Sequence, residues 1–129
     1  MFIHITIKDF LKENKEYDIL YHGTSMPSWK QTYDNISLLY LSNEQIEAKN
    51  YAYETAANDE AKGIKPEPIL CIIDLKTLKK IKEIEFHPDW GGYEVDDNTT
   101  WEETLEKFGS FSISGKIDDI KSLFKLIKL

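Results

Sequence analysis

Five apolar residues in unbroken succession, Ile69-Leu70-Cys71-Ile72-Ile73, follow Pro66 and Pro68. A run that short, entered through prolines, reads as a β-strand, and its lack of alternation implies burial on both faces. Cys71 lies inside it and is expected to be an inert packing thiol. Residues 2–7, 19–22, 39–42, 81–86 and 110–114 also read as strands. Short helices are expected from Met26-Pro27, as a single turn over 74–78, and over 100–108, where Asn98 or Thr99 caps and Gly109 closes. Residues 8–17 read as a short helix or turn. The tail sets Ile117, Ile120, Leu123, Phe124 and Ile127 at helical spacing, and its conformation stays open.

The longest helix is expected over residues 43–61. Ser42 as N-cap with Gln45 three positions on makes a capping box, and Gly63 is a natural stop. At about 100° per residue, Ile46, Tyr53 and Ala57 share one face, which reads as the core face. Tyr51 then projects about 140° away from Ile46 on the same period. It is free to look back over the strand that carries Tyr40. In that strand Tyr40 and Ser42 share one face, and Leu39 and Leu41 point the other way.

With 129 residues the chain suits one domain, large enough for a two-layer core. No apolar run approaches the roughly 20 residues of a membrane span, and the first residues lack the basic lead and cleavage site of a signal peptide. A single cysteine fits a reducing, cytoplasmic setting. The net charge of −7 is concentrated, because residues 83–106 hold nine acids and no lysine. Nonspecific nucleic-acid binding needs a basic face, which the whole does not supply. The acidic stretch is either a solvated loop or a surface for a basic partner, with Trp90 and Tyr93 as anchors. His87 and Asp89 lie in the same stretch, yet no zinc-site spacing is present and no metal is expected.

One group of residues carries a more specific signal. Tyr21-His22-Gly23-Thr24 ends a strand with an imidazole beside a glycine open to close backbone approach. Tyr40 is followed by the small residue Ser42, and Tyr51 comes eleven positions after Tyr40. This set resembles the ADP-ribosyltransferase fold, in the His-Tyr-Glu branch shared by diphtheria-toxin-like enzymes and poly(ADP-ribose) polymerases. The other branch needs a catalytic arginine, and all sixteen basic residues here are lysines.

The resemblance implies an α+β fold with a split β-sheet core and a few short helices. It implies NAD as a substrate, with His22 at a ribose hydroxyl and the Gly23 backbone at the nicotinamide amide. Thr24 and Ser42 complete the set, and Tyr40 and Tyr51 sandwich the nicotinamide ring. Two phenol rings suit a flat heteroaromatic, at about 0.5–1.5 kcal/mol each beyond area burial. Lysines and helix N-terminal amides would serve the pyrophosphate in place of arginine. The implied activity is mono-ADP-ribosyl transfer to a protein or nucleic-acid target. Small lone domains of this fold resemble bacterial or phage toxins and anti-defence effectors.

Breaking the nicotinamide–ribose bond builds an oxocarbenium-like ribose, which a nearby carboxylate stabilises. The family carries its catalytic Glu at the start of a late strand, and that position falls at Ser110 to Ser112 here. Glu106 is the nearest acid upstream and stands as the catalytic candidate; Glu94, Asp96, Asp97, Asp118 and Asp119 are more distant in sequence. The missing Glu disfavours chain-forming activity. It also keeps a second class in play, a catalytically inactive domain of the same fold acting through the acidic surface of residues 83–106.

Overall fold

In the computed structural model the run after Pro66 becomes β3 (Pro68–Asp74), buried from Ile69 through Ile73. Residues 19–31, 38–89, 96, 98–116 and 120–129 are described. The strand expected at 2–7, the segment 8–17, Trp90, Tyr93, Glu94, Asp97, Ile117, Asp118 and Asp119 lie outside the described residues. Both faces of β3 are apolar because each serves a different core. Ile69, Cys71 and Ile73 enter the larger one, while Leu70 and Ile72 enter the smaller.

β3 lies between β1 (Ile19–Ser25) and β6 (Lys125–Lys128), antiparallel to both. Beyond β1 come β2 (Leu39–Ser42), β5 (Ser110–Gly115) and β4 (Ile84–Pro88), so the six-stranded order is β4-β5-β2-β1-β3-β6. Every pairing among the described residues is antiparallel. With four α-helices among the described residues, the fold is α+β. The two halves of the sheet are joined at a single partnered pair, Tyr21 with Ser42, although seven residues of β1 pair with β3.

The larger core covers one face of this sheet. Helices α1 (Met26–Lys30) and α3 (Leu75–Lys79) send Met26, Trp29, Leu75 and Leu78 into it, and α4 (Trp101–Phe108) packs Trp101 and Leu105 against it. Each short helix is held by local capping rather than by length. Ser25, Asp74 and Thr100 accept the amides of Ser28, Thr77 and Glu103, and Gly109 closes α4 at φ +77°. Phe86, Trp101 and Phe111 stack as a trio, with centroids 4.7 to 5.8 Å apart, fastening β4 and β5 to α4.

Helix α2 (Gln45–Ala61) lies on the opposite face, and its buried residues correct the sequence expectation. Ile46 is 75 % exposed and Tyr53 51 %, and Ala57 is exposed too, so they do not form the core face. The buried stripe is Ala48, Ala52 and Ala56, ending in Asp59. The cause is Gly23, where a Cβ would overlap the carbonyl of Ala48 and crowd the amide nitrogen of Ala52. Backbones that close leave room only for alanine, and alanine contributes little to a hydrophobic pattern. The capping box also shifts, since Ser42 Oγ accepts the amide of Glu44 and the helix begins at Gln45.

Two further boundaries differ. The tail is a 3-10 turn (Lys121–Leu123) followed by strand β6, because Leu126 and Ile127 point into different cores while their backbone pairs with β3. β4 begins at Ile84 and includes His87 and Pro88, a proline tolerated at the end of an edge strand. Among the described residues no helix is long and apolar enough to cross a membrane. Gly23→Ala is expected to destabilise the fold by about 1–3 kcal/mol or more, the cost of overpacking against backbone. Chemical denaturation of the two proteins measures this directly.

Candidate functional site

Strand alternation divides the β4-β5-β2 half into two chemically different faces. Leu39, Leu41, Phe111 and Ile113 go to the larger core. Tyr40 and Ser42 pair with Ser112 and Ser110 on the other face, and His87 pairs with Ser112. That face is polar, and the first turns of α2 overhang it. Tyr51 on α2 meets Tyr40 on β2 edge to face, with centroids 5.5 Å apart and planes at 63°.

Glu47 lies one turn before Tyr51, and its Oε1 accepts the Tyr40 hydroxyl. Burial pushes the Tyr40 phenol well above its ordinary range, and the Glu47 hydrogen bond adds to this. Tyr40 is therefore a neutral phenol that donates. Tyr51 is also pushed upward, first by burial and then by the charges of Glu47, Asp89 and Glu54. Tyr51 keeps 46 % of its surface exposed, so it is the solvent-facing member of the pair. Two rings that sandwich a third stand about 7 Å apart, twice the optimal carbon contact of about 3.5 Å. The pair is closed here, and admitting a flat ligand takes an outward rotation of Tyr51.

His22 reaches this pair through the backbone. Its position on β1 alternates with Tyr21, which places the imidazole on the larger-core side, 5.9 Å from the Trp29 ring. Past the single pair Tyr21–Ser42 the strands part, and His22 Nδ1 bridges the gap to the carbonyl of Tyr40 at 2.8 Å. A carbonyl only accepts, so Nδ1 carries the proton and neutral Nε2 is left as an acceptor. Continued in register, Gly23 would stand opposite Tyr40 across this gap. Its missing side chain is used by α2, whose Ala48 carbonyl occupies that space. Thr24 and Ser42 are both buried, and Ser42 Oγ is committed to the Glu44 amide.

The carboxylates near the phenol come from places the sequence reading passed over. Ser110 lies within hydrogen-bond reach of the Tyr40 oxygen and donates to Asp89 Oδ2 at 2.7 Å. Asp89 follows β4 directly, is 5 % exposed, and donates its amide to Thr104 Oγ1 at 3.1 Å. Glu47, Tyr40, Ser110 and Asp89 thus form one polar chain. Glu106 is exposed and lines a different depression of about 360 Å³ with Asn43, Lys79 and Trp101. On β4, His87 Nε2 meets Ser114 Oγ at 2.8 Å and Glu85 at 3.9 Å. No group of three metal-ligating side chains occurs among the described residues.

Two signals pointed toward the missed residues. Glu47 and Tyr51 are four apart on a helix, the spacing that stacks side chains on one face. Ser110, Ser112 and Ser114 alternate with Phe111 and Ile113, marking a polar strand face. Asp89 had no local signal, because its place depends on how β4 pairs with β5.

Burial around the imidazole lowers the His22 pKa from 6.5, partly opposed by the bond to the Tyr40 carbonyl. The unfolded chain therefore takes the proton first as pH falls. Stability from neutral His22 is fully present above the unfolded value of 6.5 and is lost as pH drops through the lowered folded value. The melting-temperature advantage of wild type over His22→Gln is accordingly expected to shrink between about pH 7.5 and about pH 5.5. An advantage that stays constant or grows toward acid contradicts this assignment.

Comparison with known proteins places no family on this geometry: no family model, no curated protein and no solved structure matches the chain.

Proposed function

We propose that this protein is an NAD-dependent mono-ADP-ribosyltransferase acting on a macromolecular target. The observation that carries the reading is the meeting of Tyr40 and Tyr51 beside the gap where β1 and β2 part, with His22 bound to the Tyr40 carbonyl. An α+β fold with a sheet nearly divided at one pair is the kind of core that the sequence resemblance implies.

Each residue has a distinct part in this reading. Tyr40, held at its hydroxyl by Glu47 and flanked by Ser110, is the fixed wall of the nicotinamide slot. Tyr51 is the wall that opens. His22 acts through the backbone: its ring lies on the larger-core side, and its Nδ1–H holds the Tyr40 carbonyl and so positions the fixed wall. In the reaction the bond between the nicotinamide ring nitrogen and ribose C1′ breaks. Its electron pair goes to the nitrogen, so nicotinamide leaves neutral. The acceptor's oxygen or nitrogen bonds to C1′ and releases a proton. A cationic ribose forming near this carboxylate-bearing chain is favoured by its negative charge.

The second reading is a catalytically silent domain acting through its acidic surface. Two observations favour it: the tyrosine pair is closed, and β5 offers Ser110 where the resemblance asks for a Glu. Incubation with labelled NAD and a bacterial lysate separates the two. Label is expected on macromolecules with wild type and to be absent with His22→Ala and Tyr51→Ala. Tyr51→Ala is also expected to weaken NAD binding by about two- to tenfold, the loss of one stacked ring. Wild-type protein that transfers no label overturns the enzymatic reading.

A further inference from the structure

We infer that Glu47, from the first turn of α2, is the carboxylate that faces the ribose, in place of an acid on β5. This inference rests on the transferase reading above. Its observation is that Glu47 meets the Tyr40 hydroxyl, the same phenol oxygen that Ser110 adjoins. The resemblance places the catalytic acid at the Ser110 end of β5, and the Glu47 carboxylate arrives at that end from the helix instead of from the strand.

The competing acids are placed differently. Asp89 is 5 % exposed and already accepts Ser110, so it stands behind the serine and away from a ligand. Glu106 opens onto the depression beside Lys79 and Trp101. Glu47 is half-buried, and among the described residues no lysine lies within ion-pair distance of it. Its one hydrogen bond among those residues comes from a neutral phenol, so its full negative charge is available to a cation.

That charge also predicts a choice of ring. The oxidised nicotinamide ring is cationic and the reduced ring is neutral, so a carboxylate at the Tyr40 hydroxyl, one turn before Tyr51, favours NAD⁺ over NADH. As the C1′–nitrogen bond breaks with its electrons leaving on nicotinamide, the positive charge moves to C1′, toward Glu47. The acceptor's proton passes to the second oxygen of Glu47 and from there to water, leaving the carboxylate as it began.

The test uses the full chain and two readouts, equilibrium binding of NAD⁺ and NADH, and release of nicotinamide. Glu47→Gln is expected to slow release by about 100-fold or more, the usual effect of removing one preorganised electrostatic group. It is expected to keep NADH affinity within about threefold while losing the preference for NAD⁺, a pattern a misfolded variant does not produce. Glu47→Asp, which keeps the charge on a shorter arm, is expected to fall between wild type and Gln. Glu60→Gln, exposed near the far end of α2, is expected to match wild type. Release by Glu47→Gln within about threefold of wild type overturns the assignment, as does loss in Asp89→Asn or Glu106→Gln while Glu47→Gln stays active. Wild-type protein that binds neither nucleotide and releases no nicotinamide overturns the transferase reading, and this inference with it.

Discussion

The contact between Gly23 and the Ala48 carbonyl sets the geometry of everything around it. A strand and a helix approach this closely only when the strand residue has no Cβ and the facing helix residues are alanines. Seated at that depth, α2 brings Glu47 and Tyr51 over the end of β2, to which it is joined by Asn43 and Glu44 alone. The same seating leaves Ile46 and Tyr53 in solvent, so a helix with apolar residues on several sides buries the least conspicuous of them. Asp59 reinforces it from the other end, accepting the Ser25 hydroxyl at 2.5 Å inside the protein.

The near-division of the sheet is the second determinant. Seven partnered residues join β1 to β3, four join β2 to β5, and one pair joins the halves. Backbone groups left by that parting need partners, and the His22 imidazole supplies one to the Tyr40 carbonyl. A histidine used this way is locked in one tautomer, which ties the sheet's incomplete pairing to the position of the Tyr40 backbone. Structure and site are the same feature seen from two sides.

Polarity follows the same division. On the β1-β3-β6 half, α2 covers apolar residues and the smaller core forms with Tyr21, Leu70, Ile72 and Ile127. On the β4-β5-β2 half the corresponding face carries Tyr40, four serines and His87, and it is fastened by hydrogen bonds instead. A polar chain such as Glu47–Tyr40–Ser110–Asp89, buried at its Ser110–Asp89 end, tolerates few arrangements, since each buried group left unpaired is costly. That makes Tyr40 the rigid side of the pair and leaves the freedom with Tyr51.

Much of this was legible in residue order. The doubly buried β3, the helical turns at Met26-Pro27 and over 74–78 and the stop at Gly109 each rest on local rules of alternation, capping and helical pitch, which a sequence carries in full. The buried face of α2 was not legible, because the decisive residue, Gly23, is on another strand and acts by what it lacks. Nor were the carboxylates: Glu47 and Asp89 are ordinary acids in isolation, and only strand pairing and helix depth bring both to one phenol. Local chemistry is written along the chain, whereas the company a side chain keeps depends on contacts between segments far apart in it, and those exist only once the sheet has paired and the helix has settled.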